Sequence, residues 1–115
     1  MFCPGFAGVD PTKDDKLALQ YLFHDCTPEV ARWALSTLRL MYAREAMSEA
    51  CPLKRWPVTP CTYISCRGDR AINPAWWENA ARERLGVEPV VMDGGHAPYV
   101  SRPSQLAEIL CQTSS

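Results

Sequence analysis

Two residues of this sequence, Asp69 and His96, carry side chains that could work together as an acid–base pair. Asp69 follows the apolar run 61–66, and His96 follows the apolar run 88–92. An ionised carboxylate on Nδ1 of an imidazole fixes the ring tautomer and leaves Nε2 free as a general base. An Asp and a His in this arrangement are two of the three groups of a Ser-His-Asp hydrolytic site.

The elements around the pair predict a βαβ unit. Asn73-Pro74 is a good helix start, and Gly86 is a good left-handed helix end. Two parallel strands joined by a right-handed helical crossover have their carboxyl ends at one edge of the sheet, about 4.8 Å apart. Asp69 and His96 should therefore meet there. The predicted order is strand 61–66, loop 67–73, helix 74–85, strand 88–92, loop 93–102 and helix 103–112.

The residues beside the pair agree with this chemistry. Gly94 and Gly95 allow a sharp turn that exposes His96. Arg67 and Arg70 flank Asp69 and are expected to favour its ionised form. The alternatives are that Asp69 is only a turn residue and that His96 only caps a loop.

The remainder of the chain is expected to be mainly helical. Thr27-Pro28 starts a helix over 28–48, or two helices broken near the middle, with Val30, Ala31, Trp33 and Ala34 on the apolar face. The three prolines of the segment 51–60 predict an irregular connector that carries Trp56 onto the core. The final helix should bury Leu106, Ile109 and Leu110. The predicted organisation is a loop or mobile tail over 1–16, a helical segment over 17–52 and a strand-helix-strand-helix unit over 53–115.

Three sequence segments resemble a known family. The run from Tyr63 to Pro74 resembles the acid loop of α/β-hydrolases, and the run from Gly94 to Ala107 resembles their histidine loop and closing helix. The run from Tyr21 to Cys26, with the helix after it, resembles the end of the cap in small bacterial esterase-like members. The resemblance implies an α/β fold. The implied fold is the C-terminal portion of an α/β-hydrolase, with two parallel strands in a βαβ unit, flanking helices and a cap-derived helix. It makes Asp69 the acid and His96 the base.

The family's nucleophile has no counterpart in this sequence. In the family, a serine in a Gly-x-Ser-x-Gly turn precedes the cap, and no serine here is flanked by those glycines. Cys66 lies in a predicted strand and should be inert, whereas Cys26 lies beside a helix start that would lower its pKa. The expectation is an esterase-type protein that carries the acid and base, lacks the serine and is inactive alone. The alternative is a non-catalytic remnant or binding module of the same fold.

Composition limits the partners and cofactors. The 12 basic and 13 acidic residues give a net charge of -1, which argues against nucleic-acid binding, and no apolar run could span a bilayer. The six cysteines and the lack of a secretion signal indicate reduced thiols in the cytoplasm. His24, Cys26, Cys61 and Cys66 match no common zinc spacing, so neither a metal nor a cofactor is expected. His24 beside Asp25 is interpreted as a structural histidine rather than a catalytic relay.

A partner is expected because two strands make a poor sheet. The first strand would have a bare edge, and the helices would expose apolar faces. The prediction is association with a separate N-terminal half or with a second copy, or else an aggregation-prone monomer. Once completed, the site should accept a small ester-like substrate.

Overall fold

The computed structural model describes residues 1–39 and 48–114 of the 115-residue chain. A helical hairpin near the N-terminus packs against a βαβ unit formed by the second half of the chain. A short 3₁₀ turn, Pro11–Lys13, leads into helix α1, Asp15–Tyr21, and helix α2 is Pro28–Thr37. The other elements are strand β1 (Ile64–Cys66), helix α3 (Pro74–Ala80), strand β2 (Val90–Met92), helix α4 (Pro98–Ser101) and helix α5 (Pro103–Thr113).

Each helix of the hairpin begins with a side-chain cap that the sequence encodes locally. The Asp14 carboxylate accepts a hydrogen bond from Lys16 N–H at the start of α1, and the Thr27 hydroxyl accepts one from Val30 N–H at the start of α2. Helix α2 ends at Thr37 because Leu38 adopts an extended conformation with ψ 141°. The predicted helix 28–48 is therefore shorter, and residues 40–47 of that prediction lie outside the described residues.

The main apolar core joins the hairpin to the segment after His96. Ala18, Phe23, Ala34 and Ala97 are buried together, and Leu22, Cys26, Leu35, Leu38 and Val100 pack against them. Ala31 and Ala34 form the buried face of α2, as expected. The expectation for Trp33 is wrong, because its side chain is 61% exposed. The small alanines allow α2 to approach its neighbours closely, and the bulky indole lies on the opposite face.

The βαβ unit has the predicted topology with shorter strands. Strands β1 and β2 pair in parallel, with Ile64 opposite Val90 and Cys66 opposite Met92. Helix α3 starts at an Asn73 cap and continues as a π-helical turn, Ala81–Leu85, that ends at Gly86 with φ 68°. The described part of the chain contains one sheet, which has these two strands. The outer edge of β1 therefore has no neighbouring strand among the described residues.

The N-terminal residues contact the loop after β1. Phe2 forms an isolated antiparallel bridge with Ile72, and Cys3 N–H donates to Ala71 O at 3.0 Å. Asn73 N–H in turn donates to Met1 O at 2.8 Å. These three contacts connect the start of the chain to the segment that follows Asp69.

Two expectations about packing are wrong. Trp56 is 53% exposed, and every residue from 51 to 60 is exposed, so the proline-rich connector does not carry the indole onto the core. In α5, Leu106 and Ile109 are half-buried, but Leu110 is 49% exposed because few residues cover that helix. Among the described residues, no helix combines the length and apolar character needed to cross a bilayer.

Candidate active site

Asp69 and His96 meet at the carboxyl edge of the sheet. His96 Nδ1 lies 3.0 Å from Asp69 Oδ2 and 3.1 Å from Oδ1. The contact joins the loops that follow β1 and β2, as the topology predicted. Because an ionised carboxylate can only accept, Nδ1 carries the proton and donates it. The second ring nitrogen, Nε2, then has a lone pair, and it has no hydrogen-bond partner within 1–39 and 48–114.

The loop after β1, residues 67–73, is named the acid loop, and the Asp69 carboxylate organises it. Besides the imidazole, Oδ1 accepts hydrogen bonds from Ala71 N–H at 2.8 Å and Ile72 N–H at 3.0 Å. Burial alone would raise the pKa of Asp69. The His96 hydrogen bond and the two backbone N–H groups outweigh burial and hold that pKa below its ordinary value of 3.8. Asp69 is thus ionised at neutral pH.

The expected contribution of the neighbouring arginines to this ionisation is wrong. Arg67 turns away from Asp69, because its Nε forms an ion pair with Asp93 at 2.7 Å. Neither Arg67 nor Arg70 is among the main influences on the pKa of Asp69. The flexible guanidinium arms pair elsewhere or remain exposed, and the charge of Asp69 depends instead on short N–H contacts.

The loop after β2, residues 93–97, is named the histidine loop, and it is joined to the acid loop through the backbone. Gly68 N–H donates to Gly94 O at 2.9 Å, and Arg67 N–H donates to Met92 O at 3.1 Å. The approach is so close that a Cβ at Gly68 would lie 2.7 Å from Gly94 O. Gly94 itself has φ 126°, a conformation that residues with side chains rarely adopt. The glycines predicted to form a sharp turn therefore also bring the two loops together.

A partly open cavity of about 280 Å³ lies beside the pair. Burial, followed by the charge of Asp69, raises the pKa of the Tyr63 phenol, so this group stays protonated. The Tyr63 ring packs against Trp77 with centroids 5.9 Å apart. The wall is therefore largely aromatic and apolar, with the acid–base pair on one side. The cavity is lined by Tyr63, Ile64, Ser65, Cys66, Asp69, Pro74, Trp77, His96, Pro98 and Tyr99.

The nucleophilic side chains near the cavity are poorly suited to attack. Ser65 is buried, and its hydroxyl donates to Glu78 Oε1 at 2.9 Å. Burial, and then the charge of Asp69, raises the pKa of Cys66. The expectation of a lowered pKa for Cys26 is wrong, because burial and the adjacent Asp25 carboxylate raise it.

His24 and Asp25 contact both loops, which the sequence did not indicate. His24 Nε2 lies 2.9 Å from Gly68 O, and Asp25 Oδ2 accepts a hydrogen bond from Gly95 N–H at 2.9 Å. These contacts span 44 and 70 residues, so no local pattern could have found them.

Through residues 1–39 and 48–114, no three His, Cys, Asp or Glu side chains converge as metal ligands would. All six cysteines are free thiols.

Comparisons with known proteins agree with the fold. The model of the Alpha/beta hydrolase family matches residues 4–109. A curated relative, Alpha/beta hydrolase nvfD of Aspergillus novofumigatus (strain IBT 16806), is 30% identical over 90 residues, which are 77% of this chain and 36% of that protein. The chain thus spans about a third of the length of this relative. No solved structure shows significant similarity. The family match, covering most of the chain, and the βαβ unit establish that this chain belongs to the α/β-hydrolase family.

Proposed function

We propose that this chain supplies the acid and base of an esterase-type Ser-His-Asp site. The observation that carries the proposal is the 3.0 Å contact between His96 Nδ1 and the ionised Asp69, beside a cavity with aromatic walls. The contact presents Nε2 as a general base. The cavity suits a small ester with an apolar acyl group.

The expected reaction follows from this geometry. Nε2 of His96 accepts the proton of a serine hydroxyl while the serine Oγ bonds to the ester carbonyl carbon. Asp69 stabilises the imidazolium that results. The same proton then passes to the departing alkoxide as its bond to carbon breaks, and the acyl group remains on the serine. A water molecule, activated in the same way, releases the acid and restores the serine.

The nucleophile would come from outside these 115 residues, either from a further segment or from another chain. Every serine here lacks the flanking glycines of the family's nucleophile turn, and burial makes Cys26 and Cys66 poor thiolates. The outer edge of β1 has no strand partner in the described part of the chain. This supports a neighbouring strand as the source, because a strand there would lie beside the cavity. We also infer that the chain associates with such a partner or with itself, in a reducing cytoplasm where its thiols persist.

Hydrolysis of p-nitrophenyl acetate tests the proposal. The isolated chain is expected to show only the background rate of an equal concentration of imidazole. Co-expression with a chain that carries a Gly-x-Ser-x-Gly turn and the missing strands should restore turnover. In that complex, His96→Ala and Asp69→Asn should each lower kcat by about 10³- to 10⁴-fold. Gln20→Ala, an exposed change on helix α1 outside the cavity lining, is the matched control and should alter kcat by less than threefold.

The alternative is a non-catalytic binding module, and the lack of a usable nucleophile favours it. It predicts that the partner chain binds without turnover and that His96→Ala leaves binding unchanged. Turnover that persists in His96→Ala would overturn the assignment of His96 as the base. Turnover by the isolated chain above the imidazole background would overturn the expectation that it is inactive alone.

A further inference from the structure

The turn between α1 and α2 contacts the acid loop and the histidine loop at matching places. His24 Nε2 donates to the carbonyl of Gly68, the residue before Asp69. Asp25 Oδ2 accepts the N–H of Gly95, the residue before His96. We propose that His24 and Asp25 are positioning residues, which hold the two loops so that the carboxylate and imidazole of the acid–base pair stay in contact.

The turn contacts the histidine loop so closely that a movement of its side chains would move the loop. A Cβ at Gly95 would lie 2.7 Å from both Asp25 Oδ1 and His24 Nε2. Because Gly95 has no side chain, the backbone of the loop lies directly against the ends of these two side chains. A displacement of either side chain would therefore shift the residue that precedes His96.

Asp25 is held as an anion for this role. Its side chain is 13% exposed, and Arg102 Nε lies 3.8 Å from Oδ2. Burial opposes ionisation, but hydrogen bonding, for which the Gly95 N–H is the geometrically defined donor, outweighs it and keeps the pKa of Asp25 below its ordinary value. An anionic acceptor makes a stronger hydrogen bond to an N–H group than a neutral one does. The charge thus strengthens the contact with the histidine loop.

The turn has its own attachment to the core. Phe23, directly before His24, is 6% exposed and packs with Ala18, Ala34 and Ala97. The positioning side chains therefore project from a fixed base, a requirement for orienting a functional group. The backbone around His96 is therefore fixed on both sides, by the Gly95 contact before it and by the buried Ala97 after it.

The two loops also have contacts that do not involve this turn. The hydrogen bonds from Gly68 N–H to Gly94 O and from Arg67 N–H to Met92 O join backbone atoms only, so neither uses the side chain of His24 or Asp25. Loss of His24 or Asp25 should therefore loosen the geometry of the acid–base pair more than it unfolds the chain. This separation makes a positioning role measurable.

The test compares His24→Ala and Asp25→Ala with two conservative variants, His24→Gln and Asp25→Asn. Gln retains an N–H donor for Gly68, and Asn retains an acceptor for Gly95. Gln20→Ala is the matched control, because Gln20 is an exposed residue of the neighbouring helix α1. The readouts are the low-field NMR signal of the His96 Nδ1 proton, hydrogen exchange of the Gly95 amide and the urea midpoint.

The alanine variants should broaden or abolish the Nδ1 proton signal, and Asp25→Ala should speed Gly95 exchange at least tenfold. The conservative variants should recover most of both signals, and Gln20→Ala should change neither. A sharp, unshifted Nδ1 signal in both alanine variants would overturn the proposal. If an alanine variant fails to fold, the test rests on the conservative variant at the same position. In Asp25→Asn, faster Gly95 exchange with an unshifted Nδ1 signal would show that the contact can weaken without moving the imidazole, and this would also refute positioning.

The consequence for turnover rests on the proposed function, whereas the NMR readouts do not. In the complemented complex, His24→Ala should lower kcat at least tenfold with KM changed less than threefold, and His24→Gln should restore most of it. A complex without any turnover would refute the proposed function and leave the NMR test of positioning intact. An unchanged kcat in His24→Ala, in a complex that His96→Ala inactivates, would overturn positioning alone.

Discussion

The Asp69–His96 contact should be measurable as a coupling energy. The perturbation is a double-mutant cycle of Asp69→Ala, His96→Ala and the double variant. Asp69 accepts three N–H groups at 2.8 to 3.0 Å, from Ala71, Ile72 and His96. Asp69→Ala removes all three hydrogen bonds, His96→Ala removes one, and the shared contact makes the two effects non-additive.

The size of the coupling follows from exposure. A hydrogen bond to a charged group contributes about 1.5 to 3 kcal/mol when it is well buried. The side chains of His96 and Asp69 are 35% and 14% exposed, so the contact is partly solvated and the lower end applies. We therefore expect a coupling of about 1.5 kcal/mol, and a total cost of about 3 to 4 kcal/mol for Asp69→Ala, which also leaves two backbone donors unpaired.

Urea unfolding followed by tryptophan fluorescence measures each corner of the cycle, because Trp77 packs beside Tyr63 next to β1. A change in the urea midpoint at constant slope reports stability. A coupling below about 0.5 kcal/mol, the usual scatter of independent sites, would refute a stabilising hydrogen bond. Asp69→Asn is the companion variant. Its side-chain oxygen still accepts from the backbone, so its stability cost should stay near 1 kcal/mol.

The same contact predicts a dependence on pH. The folded-state pKa of Asp69 lies below its ordinary value, because the His96 and backbone hydrogen bonds outweigh burial. The stabilisation is therefore complete above the unfolded-state pKa, about 4, and it is lost as the pH falls through the lower folded-state value. The stability difference between the parent chain and Asp69→Asn should shrink as the pH falls from about 5 to below about 4. A difference that grows over this acidic range would contradict this sign.

Two further predictions concern the packing around the pair. Gly68→Ala should cost about 1 to 3 kcal/mol and shift the NMR signals of the histidine loop, because the new methyl group meets Gly94 O. Gly8→Ala is its control: it has φ 79° and open space, so it should cost about 1 kcal/mol of backbone strain and leave those signals in place. Iodoacetamide should modify the exposed Cys51 at least tenfold faster than Cys66, whose pKa burial raises. Equal histidine-loop shifts in the two glycine variants, or rapid labelling of Cys66, would contradict these accounts.

The parts of the site that could be predicted are those encoded by neighbouring residues. Asn73 caps α3 and Gly86 ends the helical segment, as their residue types indicate. A helix of this length between two apolar strands leaves one common topology, and that topology places Asp69 and His96 at the same edge. The pair therefore follows from local signals together with a general rule of chain connection.

The parts that could not be predicted depend on long side chains or distant segments. Arg67 lies two residues before Asp69 in the sequence, yet its guanidinium pairs with Asp93 on the other loop. A flexible side chain selects its partner in three dimensions, so closeness in the sequence was misleading. The contacts of His24 and Asp25 depend on how the hairpin docks, which no spacing within the turn reveals.

The geometry of the site depends more on loop contacts than on the sheet. Strands β1 and β2 share a register of only three residue pairs, and two strands alone are marginal in water. The backbone bonds between the acid and histidine loops extend this short ladder past Met92 to Gly94. The hairpin then fixes the far side through Gly68 and Gly95. Because the hairpin packs on Ala97, its separation from the core should release the histidine loop before strands β1 and β2 separate. The Gly95 amide should therefore exchange faster than the Val90 amide. The reverse order would mean that the pairing of the two strands opens before the hairpin separates.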